Sequence, residues 1–222
     1  MTREPLPPPL PPEERTVGQL VAEALKLYAR SFWAALPLGL PLAVADAASV
    51  RRSLPERILL LVAAAPAFTA AYTWASALAS GKRPSRETWV RAVVLGTLAF
   101  VPAAVFFPWF ALLSVAWLAL VGLVVPVIVI EELPAREALR RAVALCRADY
   151  VHALGSLATL VVVFALTRFV LVFLLREQAD NTVRVAIFIA DLVISPLLFL
   201  GAALLYFDQA ARVGSSPRER SR

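Results

Sequence analysis

Three ionisable side chains stand inside otherwise apolar stretches: Asp46, Arg168 and Asp191. In hydrocarbon an unpaired charge costs ~2.5–3.5 kcal/mol on insertion scales, so each is expected to have a partner or a function. Arg168 lies seven residues before the end of its stretch, and Asp191 six residues after the start of the next. At the rise of an α-helix both sit roughly 9–10 Å from the same ends of neighbouring antiparallel helices. An Arg168–Asp191 pair is therefore expected, and Asp46, four residues from the end of the first stretch, is placed to join it. Such a pair either fixes helix register or holds a proton or substrate, and the residues alone leave both readings open.

Other chemistry is sparse. One His (His152) excludes a multi-His metal centre, and one Cys (Cys146) excludes a disulfide framework. No HExxH, GxGD, Walker loop or GxGxxG occurs, so no catalytic residue, metal site or cofactor is expected. His152 falls where an Arg-rich helix meets an apolar span, an interfacial position, and Cys146 lies on an apolar helix face that suits packing. Arg140, Arg141 and Arg147 share one helical segment and are expected to meet anionic lipid headgroups.

The elements that must carry these residues follow from composition. Of 222 residues 60% are hydrophobic and 17% charged, and mean hydropathy is +0.74, which is too apolar for a water-exposed fold. The charge of +6 arises from short basic clusters between apolar runs, so a nucleic-acid face is not expected. A helical crossing needs ~20 mostly apolar residues. Residues 92–130 contain no charge, and about 58 Å of helix would be twice the hydrocarbon thickness. This run must fold back, with Phe106-Phe107-Pro108-Trp109-Phe110 as its corner. Six spans result, near 31–50, 58–80, 90–108, 110–130, 153–175 and 185–206, which predicts an all-α polytopic membrane bundle. The connections on one side hold 16 Lys and Arg against 5 on the other, which puts both termini in the cytoplasm.

Residues 1–14 read as a Pro-rich disordered segment and 208–222 as a basic tail. Two amphipathic helices are expected, over 15–30 and 135–150. The first opens with a Thr16/Gln19 capping box and carries Val17, Leu20, Val21, Ala24, Leu25 and Tyr28 on one face. The second carries Leu139, Ala142, Val143, Cys146 and Tyr150 on its apolar stripe. Both are expected to lie flat on the cytoplasmic leaflet in preference to packing on a helix. Residues 84–92 and 134–142 agree at five of nine positions, hinting at a repeated hairpin unit or at two similar helix starts. Ala63, Ala67, Ala71, Ala75 and Ala79 form a four-residue repeat on which a helix can approach closely.

The pattern Pro126-Val-Ile-Val-Ile-Glu131, then Ala138-Leu139-Arg140-Arg141-Ala142, Leu145, Tyr150 and Gly155, resembles the membrane domain attached to some bacterial glycerophosphodiester phosphodiesterases, which also occurs alone. Val17-Gly18, Leu27-Tyr28 and Phe32 at the entry, and Leu204 to Asp208 at the exit, are similar too. The exit reads Asp208-Gln-Ala-Ala-Arg212 where the family usually has a basic pair. The soluble phosphodiesterase domain is absent from this sequence, so the resemblance implies a bacterial cytoplasmic-membrane protein without hydrolase activity. The expected role is non-catalytic, contacting lipid or an envelope partner, with a transporter, lipid flippase or channel as the alternative.

Overall fold

A computed structural model describes residues 16–214, so the Pro-rich segment over 1–14 and the end of the basic tail lie outside the described residues. The described residues form an all-α bundle, and six segments among them are long and apolar enough to cross a membrane. The entry helix α1 (Val17–Arg30) is opened by Thr16, whose backbone N–H donates to Gln19 Oε1 at 2.8 Å. The first crossing is broken: α2 (Phe32–Ala35), a 3-10 turn (Leu36–Gly39) and α3 (Leu40–Ser49). Pro37 and Pro41 each lack the N–H that a continuous helix needs there, and the backbone tightens in response. The second crossing, α4 (Leu54–Ser80), starts on a Ser53/Glu56 capping box and ends at Gly81 in the left-handed region. The third, α5 (Arg86–Phe106), turns at the aromatic corner into the fourth, α6 (Ala111–Val121) and α7 (Val124–Glu131). The break between these two halves lies four residues before Pro126, which cannot donate to the carbonyl of Gly122. After Glu132, α8 (Ala135–Ala148) leads to the fifth crossing, α9 (Tyr150–Leu174). The last crossing is again two helices, α10 (Asp180–Ile194) and α11 (Pro196–Gly214), split where Pro196 denies Leu192 its helical donor.

The core forms around α7. Val124 to Val129 are all buried there, with α4, α5, α8 and α11 packed against them. A second cluster joins Tyr28, Ala35, Leu38, Ala71, Ala75, Leu200 and Ala203. The far half of α9 instead presents Leu166, Phe169 and Leu174 outward, each more than half exposed. So large an apolar surface demands hydrocarbon as its solvent.

The surroundings of several elements differ from expectation. The amphipathic helices do not lie on a leaflet by their apolar stripes. Leu20, Ala24 and Tyr28 of α1 pack into the bundle with α11 beside them, and Ala138, Ala142, Leu145 and Cys146 of α8 close onto α7. Leu139, grouped with them on the apolar stripe, does not join this packing and faces out at 47% exposure. The helix of the last crossing runs on through Gly214, with Asp208 and Arg212 held by polar partners at the bundle's end. Finally, the alanine repeat is covered only in its second half: Ala63 and Ala67 are exposed, whereas Ala71 and Ala75 pack against Leu200 and Ala203 of α11. A further close approach lies at Gly96, where a Cβ would stand 2.1 Å from Thr69 Cγ2 and 2.6 Å from Val125 Cγ2. The echo at 84–92 and 134–142 marks helix starts only, since the first opens a crossing and the second the separate helix α8.

Candidate functional site

Three polar arrangements stand out, and the first is intramembrane. Arg168 on α9 donates to both oxygens of Asp46 on α3, from Nη1 at 3.2 Å and Nη2 at 2.8 Å. Its Nε lies 3.5 Å from Asp191 Oδ1 on α10, close enough for an ion pair but without hydrogen-bond geometry. The structure thus unites all three residues, yet the two-pronged contact goes to Asp46 and not to Asp191 as expected. Helix ends explain why. The last crossing starts at Asp180, five residues earlier than 185, so Asp191 stands about 16 Å from that end, and Arg168 about 9 Å from the end of α9. Asp46 is only about 5 Å from the end of α3, and a long cationic side chain extends toward the interface. Asp191 is fully buried, and neither of its oxygens has a hydrogen-bond partner among the described residues. Beside Asp46 a cavity of about 100 Å³ opens between α3 and α10, lined by Ala43, Ala47, Val50, Arg184, Ile187 and Phe188.

The second arrangement closes the end of the bundle where α1, α8 and α11 meet. Glu131 Oε1 accepts from Tyr206 Oη at 2.8 Å and from Arg141 Nε at 3.1 Å, which ties the end of α7 to α8 and α11. Glu131 and Arg141, both part of the family-like pattern, therefore act on each other. Its Pro126, Ala138 and Leu145 are buried core positions. Next to this pair, Arg212 Nη1 binds Asp149 Oδ2 at 2.8 Å, and Nη2 lies 3.4 Å from both ring nitrogens of His152. Asp208 Oδ2 is 4.0 Å from His152 Nε2, Ser156 Oγ is 3.5 Å from the same nitrogen, and Gln209 Nε2 donates to the Asp149 carbonyl. A nucleophilic relay needs serine and carboxylate on opposite ring nitrogens, and here both face Nε2. The set is a polar lock between α9 and α11. Sequence reasoning missed it because its members are about 60 positions apart. The available signal was Asp208 and Arg212 one helical turn apart on an otherwise apolar helix.

The third is a surface. On α8, Arg140 and Arg147 are exposed two turns apart, and neither forms an ion pair among the described residues. With Leu139, Val143 and Ala144 they line a shallow, mainly apolar furrow. Arg141, grouped with them from sequence, turns toward Glu131 instead. Cys146 sits on the opposite, buried face, where burial pushes its thiol up to about 12 and leaves no thiolate to react. Among the described residues no cluster of three or more His, Cys, Asp or Glu is placed to hold a metal ion.

Comparison with protein-family models, curated proteins and solved structures finds no match for this chain.

Proposed function

We propose that this protein is a non-catalytic bundle of the bacterial cytoplasmic membrane that holds anionic phospholipid on α8 at its cytoplasmic face. The observation that carries the reading is the furrow of Leu139, Val143 and Ala144 flanked by the unpaired Arg140 and Arg147. Paired cations attract a phosphodiester, and an apolar groove next to them accepts the start of an acyl chain. The resemblance of residues 126–155 to a phosphodiesterase-associated membrane domain supports a lipid setting and the bacterial assignment. The 16-to-5 basic asymmetry supports cytoplasmic termini, with α8 on the same side. The bundle centre favours lipid contact over transport, because α7 fills it with the buried apolar run Val124 to Val129.

Co-purification with phosphatidylglycerol, quantified by native mass spectrometry, tests the proposal. Each cation contributes about 1 kcal/mol, so Arg140→Ala with Arg147→Ala lowers apparent affinity roughly thirty-fold and leaves phosphatidylcholine binding unchanged. Equal lipid retention by wild type and double variant would remove the basis of this reading.

A further inference from the structure

We propose that Asp46, Arg168 and Asp191 form a site for one exchangeable proton, reached from the solvent through the cavity beside Asp46. This stands apart from the lipid reading, since it concerns the opposite end of the bundle. The argument begins with charge. Two carboxyls face one guanidinium, so with both ionised the set carries one surplus negative charge. Asp191 is fully buried among apolar helices, where a surplus charge is poorly tolerated.

No nearby group cancels that charge. Of the elements packed on α10, α3 contributes Asp46 and α9 contributes Arg168. The 3-10 turn Leu36–Gly39 has no titratable side chain, and neither do the first residues of α11, Pro196 to Leu205. Tyr28 of α1 donates its hydroxyl to the Val193 carbonyl at 2.8 Å and is thereby committed. On α10 itself, Asp180 lies 3.7 Å from Arg51 at the exposed end. Arg184 lines the cavity but is exposed and in no ion pair among the described residues, so solvent screens it.

A proton on Asp191 makes the set neutral and removes the bare buried carboxylate. It leaves Arg168 with its two-pronged contact to Asp46. Transfer of that proton to Asp46 releases the guanidinium, which already lies 3.5 Å from Asp191 and closes onto it as a carboxylate. Of the three residues only Asp46 lines the cavity, so protons arrive there first. The bound species is a proton and not a metal cation, because both oxygens of Asp46 are occupied by Arg168 and too few oxygens remain to coordinate an ion.

Infrared difference spectroscopy on the protein reconstituted in phospholipid decides the matter through the carbonyl stretch of a protonated carboxyl. Wild type at neutral pH is expected to show such a band, shifted in D₂O and independent of replacing sodium by choline. Asp191→Asn abolishes the band. Asp46→Asn abolishes it as well, because Arg168 then neutralises the one remaining carboxylate, whereas Arg168→Gln adds a second band. Protection of Cys146 from maleimide in the same samples verifies that each variant is folded; where a variant fails this check, the wild-type band, its D₂O shift and its pH titration decide. A wild type without the band overturns the proposal, as does a band that survives in both folded Asp→Asn variants. A band that follows sodium in place of pH, or that does not exchange in D₂O, overturns it equally.

Discussion

At the scale of single residues, Arg168 governs the membrane interior. Removing one partner of a buried ion pair costs about 3–5 kcal/mol, because the other charge is left uncompensated. Arg168→Asp should therefore lower stability by about that amount in thermal unfolding of the detergent-solubilised protein. Adding Asp46→Arg restores the two-pronged contact and should recover most of the loss. Adding Asp191→Arg should recover less, since Asp191 meets Arg168 only at Nε. The ranking of the two double variants is the measurement, and equal recovery would refute the assignment of Asp46 as principal partner. The three residues were legible in the sequence as charges in apolar stretches. Their allotment was not, because it depends on helix ends set by Asp180 and on the direction in which an arginine stem extends.

At the scale of elements, the broken first and last crossings clasp one another. Gly39 approaches the Leu192 carbonyl so closely that a Cβ would lie 2.1 Å from its oxygen. Pro196 has left that carbonyl without its helical donor, and Tyr28 caps its neighbour Val193. Gly39→Ala must push backbone against backbone and should destabilise by at least 1–3 kcal/mol, roughly the overpacking range. Gly18→Ala, with nothing within 4 Å of the added carbon, should be neutral or stabilising by about 0.5–1 kcal/mol. Unfolding curves of the two variants should part in opposite directions. The aromatic corner was readable in the sequence, but prolines alone did not fix the other breaks: Pro37, Pro41, Pro126 and Pro196 stand beside them, whereas Pro66 and Pro102 lie inside the unbroken α4 and α5. The covering of α1 and α8 was not readable there, because helical periodicity reveals an apolar face without revealing whether protein or lipid lies against it.

At the scale of the whole molecule, six crossings were legible because spans of roughly 20 apolar residues and their basic flanks are one-dimensional signals. The polar lock around His152 was not, since long-range contacts leave no periodic trace. The proposed orientation makes a direct prediction. In a Cys146→Ser background, Gln178→Cys between α9 and α10 should react with an impermeant maleimide in intact cells, and Arg83→Cys between α4 and α5 only after lysis. Labelling of both in intact cells, or of neither, would contradict six alternating crossings. The last of those crossings is two rods joined at Ser195–Pro196, not one shaft. Tyr28 of α1 donates to the Val193 carbonyl just before that interruption, and α1 also packs along α11, so the entry helix braces both halves of the last crossing where its own backbone ladder lacks a rung.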